Sequence, residues 1–343
     1  MDMLPVYVGL DYHEDTIRVC IMDPDRKVRF NRDEPNDVSR VAAVIKVRGE
    51  PAGVVLEACC GAADFATKLI QLTGWKVCLA HPGYVRRMKH GPDKTDCGDA
   101  EHLADLLRKN AIPEVWLADT LTRQLRRLVR YREGVKRERK NVKLRIRALL
   151  REERVLVPAG VNPWTRAWRT WLATAVTGEH AAWVMQRELE HLARLEADLA
   201  AVEERMAQAT ADDPDTQRLL AQPGIGLITA VMLRAEIGRF DRFQSGKQLA
   251  RFCGVTPCNA SSGRRQADAG LIKAGSRELR AVLIQTAQRL PRCDAHWKDM
   301  RARLGQTKPG NVATCAIANR WLRRLYHLMK PPAVGEVLSE TAV

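Results

Sequence analysis

From Leu121 to Arg154 the chain contains no proline and a single glycine, Gly134, while Leu121, Leu125, Leu128, Val135, Val142, Ile146 and Leu149 recur mostly at three-, four- and seven-residue steps. Only a long helix satisfies that spacing, and a helix with one apolar stripe needs a partner to cover it. A second run, Leu189, Leu192, Leu195, Leu199, Val202 and Met206, has the same periodicity. The two are predicted to pair as an antiparallel, coiled-coil helical hairpin. Between them "PAGVNPWTRAWRTWLATAVTG" carries Trp164, Trp168 and Trp171 and reads as a packing element rather than a base-stacking platform.

The first run is also the most basic part of the chain. It has fourteen Lys and Arg against four Glu, so most of the whole chain's net charge of +15 sits in one helix. Charge concentrated in this way points to a polyanion, nucleic acid or an anionic membrane surface. No apolar stretch approaches the roughly 20 residues that span a bilayer, and "MDMLPVYVGLD" lacks the basic-then-apolar order of a signal peptide. The expectation is a soluble cytoplasmic protein, nucleoid-associated when acting, with no membrane partner. Arg126, Arg130 and Arg137 are expected to contact phosphates. Charge pairing with Glu188, Glu190, Glu196, Asp198, Glu203 and Glu204 of the second run is the competing use of the stripe. Nine scattered cysteines without C-x-x-C pairs fit reduced thiols, and the histidines form no H-x-x-x-H pair for zinc.

Before the long runs the signals alternate. "VYVGLDYHEDTIRVCIMD" reads as two strands around a polar turn, "AGVVLEACC" and "WKVCLA" as buried strands, and "ADFATKLIQLTG" as a helix. The fold class is therefore α/β followed by all-α. The expected division is 1–115, an α/β domain; 116–215, the coiled-coil hairpin; 216–332, a mainly helical domain; and 333–343, a tail. The third part opens with "RLLAQPGIGLITAVMLRAEIG", a helix-hairpin-helix pattern in which backbone amides near Gly224 and Gly226 either hold a phosphate or simply connect two helices. Ser245 is a natural N-cap for the short helix after it, and "GVTPCNASSGRRQADAGLIKAGS" reads as a long polar loop.

Residues 94–107, "KTDCGDAEHLADLL", place Asp96 and Asp99 one turn apart at a helix start, where acids also serve as caps. Asp11 follows the apolar run Val6–Leu10, and Glu57 follows Val54–Leu56. A carboxylate at the end of a buried strand is costly unless a cation or donors meet it. Four such acids can converge and hold hard divalent cations, Mg2+ or Mn2+, through oxygen ligands, which suits phosphodiester chemistry. Asp15 is assigned to a hairpin turn and Asp105 to a solvated helix face.

The ordered segments "GLDYHEDTIRV", "VVLEACCG", "HPGYVRRM", "KTDCGDAEHLADLL", "QPGIGLITAVMLRAEIG" and "LARFCGVTPCNASSGRR" resemble the DEDD transposases of the IS110 insertion-sequence family over nearly the whole chain. The resemblance implies a RuvC-like, ribonuclease H-type N-terminal domain, a coiled coil and a C-terminal transposase domain. It implies that Asp11, Glu57, Asp96 and Asp99 are the DEDD metal ligands. It makes Ser262, the serine before Gly263, the nucleophile, with Ser261 as neighbouring alternative and Arg264, Arg265 and Lys273 close enough in sequence to meet phosphate. The implied partners are donor and target DNA, a structured non-coding guide RNA, and further copies of the chain in a dimer or tetramer. This chain differs in placing Cys97 and Gly98 between the paired acids. Three other functions compete: a RuvC-like nuclease or junction resolvase using metal-activated water, an actin-like ATPase, and a non-catalytic nucleic-acid-binding protein.

Overall fold

A computed structural model describes residues 5–89, 96–259, 268–272 and 275–330, with the side chains of Asp96, Asp268 and Ala269 outside that description. The chain divides into two compact units, 1–119 and 120–343.

The first unit begins with β1 (Val6–Tyr12), β2 (Thr16–Met22), β3 (Val28–Pro35), α1 (Val38–Lys46) and β4 (Pro51–Glu57). It continues with α2 (Ala62–Thr73), β5 (Val77–Ala80), α3 (Pro82–Met88), α4 (Asp96–Arg108) and β6 (Glu114–Val115). The sheet order is β3-β2-β1-β4-β5-β6. β1, β4 and β5 run parallel, and β2, β3 and β6 are antiparallel to their neighbours. Side chains alternate across a strand, so Val6, Val8 and Leu10 of β1, with Val54 and Leu56 of β4, face α1 and α2 through Val41, Ile45, Phe65 and Leu69. The opposite face belongs to α4, whose Ala100 and Ala104 meet Cys20 and Met22 and whose Leu103 and Leu106 meet Val55.

β3 is an element that hydropathy patterning does not reveal, whereas α1, which the expected elements above omit, carries Val41, Val44 and Ile45 at helical spacing. β3 is an edge strand, "VRFNRDEP", with no buried residue, so it lacks the apolar alternation that signals a strand. Asp105, expected on a solvated face, is instead buried and ion-paired with Arg108 (2.8 Å) and Lys109 (2.6 Å). Its partners lie three and four residues on, a spacing that a periodicity count reads as solvent-exposed charge.

The second unit comprises α5 (Thr120–Glu152), α6 (Arg166–Leu172), α7 (Glu179–Ala209), α8 (Pro214–Leu220), α9 (Leu227–Ile237) and α10 (Gly246–Phe252), then the ribbon β7 (Pro257–Asn259) and β8 (Asp268–Leu271), and finally α11 (Arg277–Cys293), α12 (Ala295–Gly305) and α13 (Gly310–Met329). α5 and α7 lie antiparallel, as Arg132–Glu203 (2.6 Å) and Arg145–Glu188 (2.6 Å) show. Val142, Ile146 and Leu150 of α5 pack with Leu192, Leu195 and Leu199 of α7, and Trp168 of α6, 1% exposed, closes the tip. At the base, Leu125 and Val129 enter a core shared with α9, α11 and α13. The hairpin is thus continuous with the helices that follow it.

Eight of the eleven residues of α9 are buried, which makes it the central helix of that core. Among them is Arg234, whose Nε donates to Asp213 Oδ2 (3.1 Å) and whose NH1 donates to Thr122 Oγ1 (2.8 Å). Asp213 also caps α8, accepting from the Thr216 amide (2.9 Å), so a single carboxylate fixes a helix start and balances a buried guanidinium. Part of the segment expected to be a long polar loop is the β7–β8 ribbon, where Pro257 pairs with Leu271 and Asn259 with Asp268. These strands are three and four residues long and lack apolar alternation, so they leave no strand signal in the sequence.

Candidate active site and nucleic-acid interface

Asp11 and Glu57 stand at the same level of the first unit's sheet, each immediately after the last paired residues of two adjacent parallel strands, Leu10 and Leu56. Strand alternation puts both on the α4 face, two residues beyond Gly9 and Val55. The start of α4 lies at that same edge. Asn31 Nδ2 of β3 donates to Cys97 O (3.1 Å), while at the far end Arg108 NH1 donates to Pro24 O (3.3 Å).

Gly9 sets how closely the helix approaches. A Cβ there would meet Ala100 O and would lie 2.6 Å from Ala104 N, both of them backbone atoms of α4. No rotamer change relieves such a contact, so Gly9→Ala is expected to push α4 outward. We expect it to lower stability by about 1–3 kcal/mol, the usual cost of overpacking, and to displace Asp96 and Asp99 from the strand acids. Thermal unfolding together with DNA strand transfer per folded molecule measures both effects.

The surroundings of the acids are polar. His13 Nε2 lies 3.3 Å from Asp11 Oδ2. Arg18, opposite Asp11 in the β1–β2 register, donates to Asn31 Oδ1 (2.8 Å) and Asp33 Oδ2 (2.9 Å). Arg18 and Asn31 thereby tie the sheet to the first turn of α4. Neither stands out in the sequence as a site residue, although the strand-turn-strand spacing puts Arg18 across from Asp11. Asp99 is ion-paired with Lys89. Desolvation, with the charges of Glu57 and Asp11 adding to it, raises the Cys59 thiol above its ordinary range, so it stays neutral beside the acids. Among the described residues no three His, Cys, Asp or Glu side chains are gathered closely enough to share an ion. The carboxylate of Asp96 lies outside them.

In the second unit the stripe on α5 divides into residues paired within the fold and residues left exposed. Arg126, expected to touch phosphate, instead donates from Nε to Ala235 O (2.8 Å), and Arg242 donates to Ile237 O (2.8 Å), so both hold the C-terminal carbonyls of α9. Burial, with Arg126 nearby, lowers the Arg242 guanidinium to about 10. Arg132 and Arg145 pair with α7. Arg130 is exposed, and the Arg137 side chain, 70% exposed, lies 3.7 Å from Glu278. Arg137, Arg139, Lys140 and Lys143 line a groove of about 400 Å³ with Lys136 and with Arg277 at the start of α11, against only Glu133 and Glu278. Burial and then the adjacent Arg139 hold the Lys143 ammonium below its usual value. Six basic side chains against two carboxylates leave an excess of positive charge that suits a polyanion.

Gly224, with φ of 78°, forms the turn between α8 and α9, and a Cβ there would lie 3.2 Å from Leu290 Cδ2, whereas Gly226 faces open space. Ser262, Ser261, Arg264, Arg265 and Lys273 lie outside the described residues, in or beside the connection between β7 and β8.

Residues 8–154 match a DEDD transposase family described as IS110, and residues 216–302 match the transposase family IS116/IS110/IS902. The chain is 32% identical over 334 residues to a probable family 20 transposase of Pseudomonas aeruginosa, covering 94% of this chain and 96% of the relative. The chain belongs to the IS110 family of DEDD transposases. It is also similar to the transposase for insertion sequence element IS1328 of Yersinia enterocolitica, 29% identical over 80% of this chain and 82% of that one. With the transposase for IS1111A of Coxiella burnetii it shares 27% identity over 91% and 86%. The transposase therefore cuts and rejoins DNA, and none of its described helices is long and apolar enough to cross a membrane. The first matched region spans all four acids and the second contains the PGIG turn and Ser262.

Proposed function

We propose that this transposase cuts and rejoins donor and target DNA through Ser262, assisted by a divalent cation, Mg2+ or Mn2+, held by Asp11, Glu57, Asp96 and Asp99, and that a structured non-coding RNA selects the two DNAs. The observation that carries this reading is the meeting of two strand ends and one helix start, each bearing an acid, at one edge of the first unit's sheet. The sheet order, three antiparallel strands followed by two parallel ones and the short antiparallel β6, supports a RuvC-like, ribonuclease H-type domain. An all-carboxylate donor set suits a hard divalent cation. Bound there, the cation would offset negative charge developing on phosphate oxygens. His13 and Arg18 keep Asp11 and the start of α4 in place. A homo-oligomer, dimer or tetramer, would let acids and serines from different copies act on one DNA.

The test is to incubate full-length protein with RNA and both DNAs, with Mg2+ or with a chelator, then denature. The expected products are recombinant strands and protein-linked DNA, with recombinant strands absent under chelation. Cut strands with free ends and no linked protein would instead favour hydrolysis by activated water.

The α5 groove supports a sequence-independent nucleic-acid contact. Replacing Arg137, Lys140 and Arg277 together with Gln is expected to reduce the slope of log affinity against log salt by roughly two to three, about 0.9 for each duplex phosphate no longer neutralised. Arg126→Gln is expected to leave the slope alone and lower the unfolding temperature, because its guanidinium holds α9 carbonyls. Binding isotherms at several salt concentrations, with thermal unfolding alongside, measure both.

A further inference from the structure

A second cavity, of about 840 Å³, opens in the second unit between α10, α13 and the β7–β8 ribbon. Lys247, Lys308, Arg320 and Arg323 surround it, all four side chains are exposed, and no acidic residue among the described residues lines it. Its floor is apolar, with Leu271, Val312 and Ala316. The walls are held firmly. Asn319 Nδ2 donates to Val255 O (3.1 Å) and Thr256 Oγ1 (3.2 Å), and a Cβ on Gly246 would lie 2.9 Å from Arg323 Cα, so α10 and α13 are in backbone contact.

Cations around an apolar floor match a group that is anionic at one end and flat and apolar at the other. The volume lies within the range of about 300–1,000 Å³ typical of small-molecule sites. A duplex cannot enter such a cavity, whereas one extruded nucleotide can. Exchange of strands between two DNAs necessarily leaves nucleotides unpaired while they change partners, and the enzyme's activity therefore generates this ligand. Pro257 and Leu271, which pair with each other in the ribbon, both line the cavity.

We propose that this cavity receives one unpaired nucleotide of the DNA strand being exchanged, its phosphate on the Lys and Arg side chains and its base on the apolar floor. That the nucleotide belongs to the strand being exchanged rests on the function proposed above; the cavity's binding chemistry does not.

The test uses full-length protein in chelator, so that no strand is cut, and DNA duplexes that are fully paired or carry one unpaired 2-aminopurine. The unpaired duplex is expected to bind about tenfold more tightly, with a change in 2-aminopurine fluorescence as the base enters an apolar site. Lys308→Gln combined with Arg320→Gln should abolish the preference and lower the salt slope by about 1.4, the value for two single-strand phosphate contacts. Ala316→Leu, which fills the floor without altering charge, should abolish the preference and keep the slope. Equal affinity of the wild-type protein for both duplexes, or a preference surviving both changes, would overturn the proposal. So would a preference confined to RNA duplexes. Retained preference in a protein that forms no DNA adduct would count against the serine and not against the cavity.

Discussion

A Ser262→Ala transposase is expected to form no denaturation-resistant link to DNA and to lose recombination by at least roughly a thousandfold, the scale of removing a covalent nucleophile. In the reaction proposed, Ser262 Oγ attacks phosphorus and forms a phosphoserine ester. The bond from phosphorus to one deoxyribose oxygen breaks, and that oxygen leaves as a hydroxyl carrying the proton lost by the serine. Rejoining runs the same exchange backward with a hydroxyl of the new strand. In that proposal Gly263 would permit close approach of the phosphate, and Arg264, Arg265 and Lys273 would balance its charge. An alanine removes the oxygen and nothing else, so nucleic-acid affinity and unfolding temperature should match the wild type. Gel separation after denaturation, with radiolabelled DNA, reads the adduct directly. If Ser261→Ala loses the adduct while Ser262→Ala keeps it, the neighbouring serine is the nucleophile; if both keep recombination, serine chemistry is wrong.

The second large effect is expected at Asp11. Asp11→Asn preserves size and a partner for His13 but removes the charge, and strand transfer should fall on the order of a thousandfold, several kcal/mol of lost phosphate activation. Glu57→Gln should behave alike. Asp96→Asn separates two roles, because asparagine caps a helix about as well as aspartate. Near-normal recombination would make Asp96 only a cap. Asp105→Asn is the control. That residue is buried in the same unit and ion-paired with Arg108 and Lys109, but it lies toward the opposite end of α4. Its loss should lower the unfolding temperature while leaving strand transfer per folded molecule unchanged. Equal losses at Asp11 and Asp105 would mean that the acids at the strand ends act only through stability.

Much of this arrangement is legible in the residues themselves. An apolar run ending in an acid marks a strand whose last residue emerges at a sheet edge, and that pattern places Asp11 and Glu57. Helical spacing locates α5 and α7 over most of their length, since one apolar stripe along so many turns admits few alternatives. Such patterns fail where burial does not follow hydropathy. β3 hides no side chain, and β7 and β8 are too short to alternate. Asp105 and Arg126 look like surface charges, yet Asp105 is buried by the tertiary fold while paired along its own helix, and Arg126 meets carbonyls that only the tertiary fold brings to it. No local pattern could distinguish Arg126 from Arg130 four residues on, because the difference lies in the end of α9, more than a hundred residues away.

The long helix α5 is rooted in the second unit's core by Leu125 and Val129 and finishes under the tryptophan cap. At about 1.5 Å per residue, its 33 residues make a rod of roughly 50 Å, longer than one turn of a DNA duplex at about 34 Å. Such a rod works as a ruler. Its basic groups are spaced by helical pitch rather than by a flexible linker, so in the nucleic-acid contact proposed above the separation between gripped points would be written into the number of residues. Adding seven residues to α5 and seven to α7 would keep the apolar seam and lengthen the ruler by about 10 Å, whereas adding three to each would also swing the tip around the axis. Reach and bearing can therefore be varied separately, and evolution has the same two adjustments available.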